Sequence, residues 1–565
     1  MKLVLRRSLV GMVAGAAAGV MLLTGPDHRL VSVLFGIAIG GLFSTSLSPT
    51  RGAYVDSLMT GAALGIPLWG LISVIGIPLL FGQMPQWTSG EMRMHFPALV
   101  AWVSYGALLG LFSQGLSDAA ERLLGPERTE GSASTPENEK QIVILGGGFA
   151  GMRTAECLEK ELQGIRSVRV TIVSDTNALL FTPMLAEVAG SSLEPSHIST
   201  PLRSSLAQTQ FIRGLAIGVD LEARNVLIAG ESESGVENPR AVPFDHLVFA
   251  LGSVSNHFGM LNVEKFAFNF KSLVDAIRIR NQVIDVFERA DQQREHSLRV
   301  PLLTFVIAGG GFAGVELAGS INDFAHGILA DYPNLSSKEL SVVLVHSGHR
   351  ILPELSESLG NYAQRQMEAR GVKFRMNTRV ADVQPGVVKL SDGEISCHTL
   401  VWTAGTAPNP LLKSLPLEKD KRGTIVVDDS LNLAGHAQLW ALGDCAAVVD
   451  AVSGKPCPPT AQFARREAEV LARNIRAHFE NRPKERFHFE SLGALCVIGH
   501  QTACAELKVP LLRKSLRFSG LFAWLLWRGI YLSKLPGLER KIRVLVDWTI
   551  ELFFPRDIVQ TIDLR

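Results

Sequence analysis

Long apolar runs occupy the N-terminal part of the chain, and alternating strand and helix patterns follow them. Four runs are nearly free of charged residues: Leu9–Thr24, Leu30–Leu47, Ala53–Phe81 and Phe96–Leu116. The last three reach the roughly 20 residues that a helix needs to cross the hydrocarbon core of a bilayer. The pattern therefore predicts an all-α region of about four transmembrane helices over residues 1–125.

Glycines recur four residues apart within these runs, a spacing that lets two helices approach closely in lipid. The alternative is that these glycines only reflect the composition of membrane helices. The recurrence favours close packing at Gly11, Gly15 and Gly19, at Gly36 and Gly40, at Gly61 and Gly65, and at Gly106 and Gly110.

Basic residues flank the apolar runs on one predicted side. Lys2, Arg6 and Arg7 precede the first run, and Arg51 lies between the second and the third. Because cytoplasmic loops carry the excess of Lys and Arg, an even number of spans returns the chain to the cytoplasm. The first run also fits a signal peptide or a twin-arginine export signal. Three further spans follow it, so we favour a multi-pass protein of the inner (cytoplasmic) membrane.

A polar, proline-marked stretch over residues 126–139 predicts a flexible linker, and a G-x-G-x-x-G turn follows the strand pattern of Gln141–Leu145. In this first glycine turn, Gly146 permits a sharp bend and Gly148 lets the backbone approach a pyrophosphate. Gly151 lets the next helix, predicted over Met152–Leu162, pack on the strand.

A second glycine turn, Gly309–Gly314, follows the apolar run Leu302–Ala308 in the same way. Two such turns predict two bound dinucleotides. The surrounding strand patterns predict an α/β fold of two Rossmann-like domains, the second inserted into the first. The strand patterns are Val168–Val173 and His246–Leu251 before the second turn, and Ser341–Val345, Leu400–Trp402 and Leu439–Leu442 after it.

Composition changes this picture little. The net charge of +1 over 565 residues offers no field that would attract nucleic acid, and the mean hydropathy of +0.20 agrees with a membrane region. The six cysteines show neither a C-x-x-C pair nor paired zinc-type spacing, so no metal site is predicted. We expect them to be reduced, buried thiols.

From Gln141 to the C-terminus the chain resembles the membrane-associated type II NADH:quinone oxidoreductases. The N-terminal membrane region is not part of that family's usual pattern. Besides the two glycine turns, the resemblance rests on Phe181-Thr182-Pro183-Met184-Leu185 with Glu187-Val188-Ala189, Ala250-Leu251-Gly252, Trp402-Thr403-Ala404-Gly405, Ala441-Leu442-Gly443-Asp444-Cys445-Ala446, Thr460-Ala461-Gln462-Phe463-Ala464 and Ala523-Trp524-Leu525-Leu526-Trp527-Arg528.

The resemblance implies a membrane-bound enzyme that moves a hydride from NADH or NADPH to FAD and then reduces a membrane quinone by two electrons without pumping protons. It implies an FAD domain over 140–300 and 411–490, an NAD(P)H domain over 301–410 and a membrane-docking or dimerisation region over 491–565. The implied FAD residues are Gly146, Gly148, Phe149, Ala150, Gly151, Ser174, Asp175, Thr182, Pro183, Gly252, Asp444 and Ala461. The implied NAD(P)H residues are Gly309, Gly311, Phe312, Ala313, Gly314, His346, Ala404 and Gly405.

Three residues are expected to act on the substrates. Glu316 matches a family glutamate near flavin and nicotinamide, where it would orient the nicotinamide or relay a proton. Gln462 and Arg466 lie where the family places the mouth of the quinone tunnel. Arg466 replaces the usual second glutamine, and we expect it to hydrogen-bond a quinone carbonyl or to pair with Glu467.

Two strand ends depart from the family pattern. Ser174 stands where an acid should bind the adenosine ribose of FAD, with Asp175 next to it. His346 stands where a carboxylate would bind the ribose of NADH and repel the 2′-phosphate of NADPH. The choice between NADH and NADPH is therefore left open by the sequence.

The tail from Arg513 to Arg556 mixes apolar and basic residues, which predicts docking to the lipid bilayer; a homodimer interface is the alternative. The predicted apolar face comprises Leu521, Trp524, Leu525, Trp527 and Leu532. Because the tail supplies this contact, the N-terminal spans are expected to anchor or associate and not to catalyse. The rival functions are a sulfide:quinone oxidoreductase, which needs cysteines beside the flavin, and a non-catalytic redox sensor coupled to the spans.

Overall fold

The computed structural model describes residues 2–22, 36–41, 43, 54–80, 82–84, 96–124, 140–163, 165, 167–230, 239–509 and 514–560. The predicted linker lies outside these residues, as does most of the second predicted span. The helices are α1 (Lys2–Leu22), α2 (Tyr54–Leu68, continued as a π-helix over Trp69–Gly76 and as an α-helix over Ile77–Leu80), α3 (Phe96–Leu124), α4 (Phe149–Glu161), α5 (Leu185–Ala189), α6 (Leu202–Ser205), α7 (Leu261–Phe266), α8 (Leu273–Gln292), α9 (His296–Leu302), α10 (Phe312–Ile328), α11 (Glu357–Ala369), α12 (Leu411–Ser414), α13 (Ala461–Phe479), α14 (Gly520–Lys534) and α15 (Leu538–Ile550).

The strands are β1 (Lys140–Leu145), β2 (Val168–Ser174), β3 (Ala178–Leu180), β4 (Ser199–Pro201), β5 (Gln210–Arg213), β6 (Ala216–Asp220), β7 (Asn225–Ile228), β8 (Arg240–Pro243), β9 (His246–Phe249), β10 (Ser253–Ser255), β11 (Phe268–Asn269), β12 (Thr304–Ala308), β13 (Ser341–Val345), β14 (Val372–Arg375), β15 (Val380–Gln384), β16 (Val387–Leu390), β17 (Gly393–Ser396), β18 (Thr399–Trp402), β19 (Thr406–Pro408), β20 (Ile425–Val426), β21 (Asn432–Leu433), β22 (His436–Ala441), β23 (Ala446–Ala447), β24 (Gly493–Gly499), β25 (Thr502–Val509) and β26 (Lys514–Ser519).

Two largely parallel sheets carry the two glycine turns. The first has the order β21-β22-β9-β1-β2-β5, and the second has the order β11-β18-β12-β13-β14. β1 and β12 sit inside their sheets, and their apolar residues are buried because helices cover both faces. Strands β21 and β22 of the first sheet follow the whole second sheet in sequence, so the chain leaves the first sheet, builds the second and returns.

Two predicted boundaries are wrong at these strands. The strand pattern over Leu302–Ala308 begins only at Thr304, because Leu302 ends α9 and the Leu303 amide still donates to the Arg299 carbonyl at 3.2 Å. The first helix begins at Phe149 and not at Met152, since the Met152 amide already donates to the Gly148 carbonyl at 2.9 Å.

The N-terminal helices pack through the predicted glycines. A Cβ atom on Gly61 would lie 2.0 Å from the Gly106 carbonyl oxygen, and one on Gly40 would lie 2.0 Å from that of Gly11. Backbone therefore touches backbone between α2 and α3, as predicted. Among the described residues, two helical segments are long and apolar enough to cross a membrane, Ser57–Leu80 and Phe96–Ala119, while Leu9–Gly19 is a shorter apolar stretch. Of the four predicted spans, two are thus found among the described residues.

The tail is folded into the protein body, contrary to the prediction of an exposed apolar face. Strands β24, β25 and β26 form an antiparallel sheet, and α14 packs on it. Trp524, Trp527 and Leu532 are buried because they face this sheet and the core around α10. The large exposed apolar side chains of the described tail lie farther on: Ile542, Val546, Ile550, Leu552, Phe553, Phe554 and Val559.

Helix α2 also belongs to this body. Trp69 is 1% exposed and packs against Phe522 of α14, with ring centroids 6.4 Å apart. Farther along α14, a Cβ on Gly529 would touch the Ala63 carbonyl at 3.5 Å, so the two helices run close together. The Lys541 ammonium donates to the Thr60 hydroxyl at 3.3 Å. The spans are therefore packed into the enzyme and do not form a separate anchor.

Candidate active site

The first glycine turn has the close backbone approaches that its spacing predicts. Gly146 has a φ of 111°, and its amide donates to the Val173 carbonyl of β2 at 2.8 Å. A Cβ on Gly151 would lie 1.8 Å from the Gly146 carbonyl oxygen. By contrast, a Cβ on Gly148 would meet no atom within 4 Å. Gly148 therefore faces an open cleft at the N-terminus of α4, where free N–H groups favour a phosphate.

The second glycine turn repeats this geometry. Gly309 has a φ of 125°, and its amide donates to the Val345 carbonyl of β13 at 2.9 Å. A Cβ on Gly314 would lie 1.9 Å from the Gly309 carbonyl oxygen. Phe312 and Ala313 open α10 as Phe149 and Ala150 open α4. The two turns are thus structural equivalents, and both have the shape of a dinucleotide site.

A cleft of about 1000 Å³ lies in front of the first turn. Of the residues predicted to bind FAD, all but Gly151 and Pro183 line it. These lining residues are Gly146, Gly148, Phe149, Ala150, Ser174, Asp175, Thr182, Gly252, Asp444 and Ala461. The strand ends of one sheet, the return from β22 and the start of α13 therefore converge on one space, and its size suits a cofactor.

Asp444 sits in this cleft within a polar group that the sequence did not reveal. Its carboxylate accepts a hydrogen bond from the Ser253 hydroxyl at 2.6 Å, and the Lys271 ammonium donates to that hydroxyl at 2.8 Å. Burial lowers the pKa of Lys271, which Asp444 counteracts. Ser253 and Lys271 come from different elements far from Asp444 in sequence, and no motif marks them. A carboxylate, a hydroxyl and an ammonium together fit the hydroxyl-rich chain and phosphates of FAD.

The two unusual strand ends occupy matching positions beneath the middle glycine of each turn. A Cβ on Gly147 would lie 2.8 Å from the Ser174 hydroxyl, and one on Gly310 would lie 2.5 Å from the His346 ring. The Gly310 amide donates to Nδ1 of His346 at 3.1 Å. Burial lowers the pKa of His346. Because Nδ1 accepts this hydrogen bond, the ring carries its proton on Nε2. Asp175 is exposed on the wall of the first cleft.

Ala404 and Gly405 follow β18 beside the second turn. Gly405 has a φ of 102°, and its carbonyl accepts a hydrogen bond from the Asn256 amide at 3.2 Å. The segment that follows β18 is thereby tied to the segment that follows β10.

Glu316 and Gln462 both bind the backbone where the C-terminal sheet begins. Glu316 on α10 accepts from the Val497 amide at 3.2 Å, and Gln462 on α13 accepts from the Leu492 amide at 3.0 Å. Burial raises the pKa of Glu316 to about 8. A carboxyl group with this pKa can hold or release a proton near neutral pH, as an acid–base group must.

Arg466 does not pair with Glu467. Its guanidinium pairs with Glu469 at 3.0 Å and lies over the Phe489 ring, because it points outward from α13 while Glu467 points inward. Glu467 is buried and accepts from the Gly443 amide at 2.7 Å, next to Asp444. The Arg466 side chain is 47% exposed, so it remains accessible to a ligand arriving at the surface.

The cysteines do not resemble a redox pair. All six thiols are free, and Cys157 and Cys445 are buried. Burial raises the pKa of both thiols, that of Cys445 to about 12. Since the thiolate is the reactive form, neither cysteine is suited to attack sulfide-derived sulfur.

Two motifs that are distant in sequence meet in a buried charge cluster. Arg528 of α14 pairs with Glu551 at 2.9 Å and with Glu187 of α5 at 3.8 Å, and its guanidinium stacks on Trp524 at 3.8 Å. Trp548 donates to Glu187 at 3.3 Å. The cluster therefore ties the C-terminal helices to the first nucleotide domain.

Comparison with known proteins agrees with this architecture. Residues 140–468 match the family described as pyridine nucleotide-disulphide oxidoreductase, and residues 491–557 match the NDH2 C-terminal domain. The chain is 32% identical over 434 residues to a probable NADH dehydrogenase of Dictyostelium discoideum, which covers 75% of this chain and 91% of that protein. It is 29% identical over 436 residues to the type II NADH:quinone oxidoreductase NdhA of Mycobacterium tuberculosis, covering 75% and 89%.

Solved structures share the fold at low sequence identity. NDH2 from Plasmodium falciparum in complex with NADH superposes with a TM-score of 0.67 at 19% identity, covering 75% of this chain and 100% of that chain. The sulfide:quinone oxidoreductase from Aquifex aeolicus has a TM-score of 0.55 at 16% identity, covering 74% and 95%. The matched regions begin after the N-terminal helices in both family comparisons.

Proposed function

Since the chain belongs to the type II NADH:quinone oxidoreductases, it is an NADH dehydrogenase with FAD and NADH as cofactors, and we propose that its acceptor is a quinone dissolved in the membrane. The observation that supports this best is the cleft in front of the first glycine turn. It is lined by Asp444 and Ala461, and its neighbour Gln462 binds the C-terminal domain. Bound FAD supplies the two-electron carrier between nicotinamide and acceptor.

Different residues of the protein would bind the cofactors, transfer a proton and contact the quinone. The first turn, Asp444, Ser253 and Lys271 would hold FAD, and the second turn would hold the nicotinamide dinucleotide. Glu316, with a pKa raised to about 8, would supply or take up a proton during quinone reduction. Gln462 and Arg466 would contact the quinone, Gln462 through its amide NH₂ and Arg466 through its exposed guanidinium.

We propose that NADPH is accepted as well as NADH. No acid follows β13 directly: the chain continues as His346-Ser347-Gly348-His349-Arg350. A neutral His346 neither repels a 2′-phosphate nor binds it as a cation would. Arg350 donates to the carbonyls of Leu352, Pro353 and Leu355, which leaves it poorly placed to select the phosphate.

The membrane contact would combine several elements. We propose that α2 and α3 insert into the inner membrane with the catalytic body on the cytoplasmic side, as part of a four-span region. The outer face of α15, with Ile542, Val546 and Ile550, and the exposed Phe553 and Phe554 would lie at the lipid surface. This replaces the predicted docking face on α14, and a homodimer remains a further prediction.

Half-reactions test the acceptor assignment. Gln462→Ala and Arg466→Ala should slow reoxidation of the reduced protein by a short-chain quinone about tenfold or more, the range of one lost substrate contact. Bleaching of the flavin by NADH in a stopped-flow instrument should stay near normal. Arg473→Ala, an exposed arginine on the same helix α13, serves as the control.

Two outcomes would contradict the proposal. Equal losses in both half-reactions of the Gln462 and Arg466 variants would indicate damaged FAD binding instead of quinone contact. Failure of the unaltered protein to turn over NADH or NADPH with any quinone would favour the redox sensor.

A further inference from the structure

A second cavity, of about 870 Å³, lies between the N-terminal helices and the catalytic body. The membrane-length helix α2 supplies one wall through Ala63, Leu64 and Pro67. A second part of its wall carries Arg465 of α13 and Lys534 at the end of α14. None of these residues lines the FAD cleft, so this cavity is separate from the site described above.

Of the four cations that line this cavity, Arg465 and Lys534 have no ion-pair partner among the described residues. The carboxylates that face the cavity are engaged elsewhere: Glu156 pairs with Arg153 at 2.9 Å, and Glu539 pairs with Arg543. In the described part of the chain, no carboxylate lies within 4 Å of Arg465 or Lys534. Burial lowers the pKa of both groups. Arg153 adds to this effect at Arg465, where Glu156 and Glu469 oppose it, and Arg465 with Arg466 adds to it at Lys534. The positive wall is therefore poised to bind an anion.

The rest of the cavity is unsuited to a small free anion. Inorganic phosphate would use the cations but would leave the apolar wall of α2 uncovered. The cavity has the size of a site for a ligand much larger than phosphate. A quinone would use the apolar wall, but its neutral ring has no need of two cations. An amphiphile with an anionic head and an apolar tail satisfies both walls at once.

We propose that this cavity binds an anionic phospholipid, with its phosphate between Arg465 and Lys534 and an acyl chain along Ala63, Leu64 and Pro67 of α2. The position suits such a ligand, because α2 is a candidate span and a lipid reaches the cavity directly from the bilayer. Lys541 and Arg540 also line the cavity, and they donate to the Thr60 hydroxyl and the Ser196 carbonyl. The bound lipid would thus join the N-terminal helices to the enzyme.

Native mass spectrometry of the full-length FAD-loaded protein in a neutral detergent tests the proposal. Phosphatidylglycerol and phosphatidylcholine are added in turn, and the bound fraction is measured for the unaltered protein and for Arg465→Gln/Lys534→Gln. The phosphatidylglycerol affinity of the double variant should fall about 30-fold, the effect of removing two cations from an anionic headgroup. Phosphatidylcholine binding should change little.

A matched control removes the same charge elsewhere. Arg473→Gln/Arg476→Gln loses two cations from exposed ion pairs on α13, and it should keep its phosphatidylglycerol. FAD absorbance reports whether each variant is folded. If the double variant loses FAD, the single variant Arg465→Lys, which keeps the positive charge, is tested instead. Under the proposal it should still bind phosphatidylglycerol.

Three results would overturn the inference. The first is an unchanged phosphatidylglycerol affinity in a folded double variant. The second is displacement of the lipid by millimolar inorganic phosphate, which would show that the apolar wall contributes nothing. The third is displacement by a short-chain quinone, which would assign the cavity to the acceptor's route.

Discussion

At the scale of single residues, Ser174 and His346 show how the same backbone accommodates different chemistry. Ser174 ends β2 and His346 directly follows β13. Each lies beneath the middle glycine of a turn, where a larger residue at that glycine would collide with it. The residue at this position therefore supports the turn, in addition to any role in selecting the nucleotide. The His346 Nδ1 supports the turn by accepting from the Gly310 amide, and the ring also hydrogen-bonds the Arg350 backbone.

The nucleotide preference should respond to His346→Glu. A carboxylate there would accept a ribose hydroxyl and repel a 2′-phosphate, so the ratio of kcat/KM for NADH to that for NADPH should rise about tenfold or more. Steady-state assays with one short-chain quinone measure it. His349→Glu adds the same charge on the exposed side of the same loop and should leave the ratio near its original value. An unchanged ratio in the first variant would mean that this strand end does not contact the ribose.

Glu316 should impose a pH dependence on stability. Burial raises its pKa in the folded protein to about 8, from an ordinary value of 4.5. Between these values the folded state holds a proton that the unfolded state has released, so this residue's contribution to stability falls as the pH rises from about 4.5 to 8. Glu316→Gln removes this contribution, and its thermal midpoint should fall less over that window than that of the unaltered protein. Parallel midpoint curves would contradict the assignment.

The same variant tests the chemical role. If Glu316 relays a proton, kcat for quinone reduction should fall about a hundredfold in Glu316→Gln, within the range of acid–base catalysis. The limb of the pH profile near pH 8 should disappear as well. A change in KM alone would indicate that Glu316 only positions a substrate.

At the scale of secondary-structure elements, the packing of α2 on α14 is the main departure from the family-like body. Trp69 lies at the start of the π-helical segment, two residues after Pro67, which cannot donate a helical hydrogen bond. This irregularity coincides with the contact to Phe522. The contact joins a helix of membrane-spanning length to the core of the enzyme.

Replacement of Trp69 should therefore destabilise the catalytic body. Trp69→Ala removes a fully buried ring and should cost about 3–5 kcal/mol, seen as a lower thermal midpoint of flavin release from the full-length protein. Leu80→Ala is the control, because Leu80 lies on the same helix and is 84% exposed. Equal midpoints for both variants would show that α2 is not part of the core.

At the scale of the whole molecule, the FAD cleft and the membrane helices are separate. The C-terminal helices contact α2, and Tyr531 of α14 packs against Phe181 of the first nucleotide domain. No residue of α1, α2 or α3 lines the FAD cleft. Removal of α14 would take buried Phe522, Trp524 and Trp527 out of the core, so deletion from Arg513 onward is expected to prevent folding. The N-terminal deletion is the informative one.

Deletion of residues 1–129 should leave FAD bound but weaken quinone reduction. The truncation uncovers Phe522 and the α14 face that α2 covers, next to the segments that hold Glu316 and Gln462. We expect a flavin spectrum like that of the unaltered protein, a lower thermal midpoint and lower activity in the same lipid. Full activity and stability would restore the simpler view that the spans only anchor the enzyme.

The sequence alone determined the two glycine turns, because glycine is required wherever backbone meets backbone. Both turns, and Asp444 after β22, lie where the spacing predicted, since local sterics and burial decide them. The glycine contacts of the N-terminal helices were predictable for the same reason. The boundaries at Leu302 and Phe149 were not, because they depend on how the neighbouring helices end.

Only the tertiary structure decided which faces are buried and which charges pair. The tail's tryptophans looked like a membrane face, but β24–β26 and α2 cover them, and periodicity cannot tell a protein core from a bilayer. Arg466 pairs with Glu469 and not with Glu467, because the two glutamates lie on different faces of α13. Folding of segments that are distant in the chain brings Ser253 and Lys271 to Asp444, and it brings Arg465 and Lys534 to the wall of one cavity.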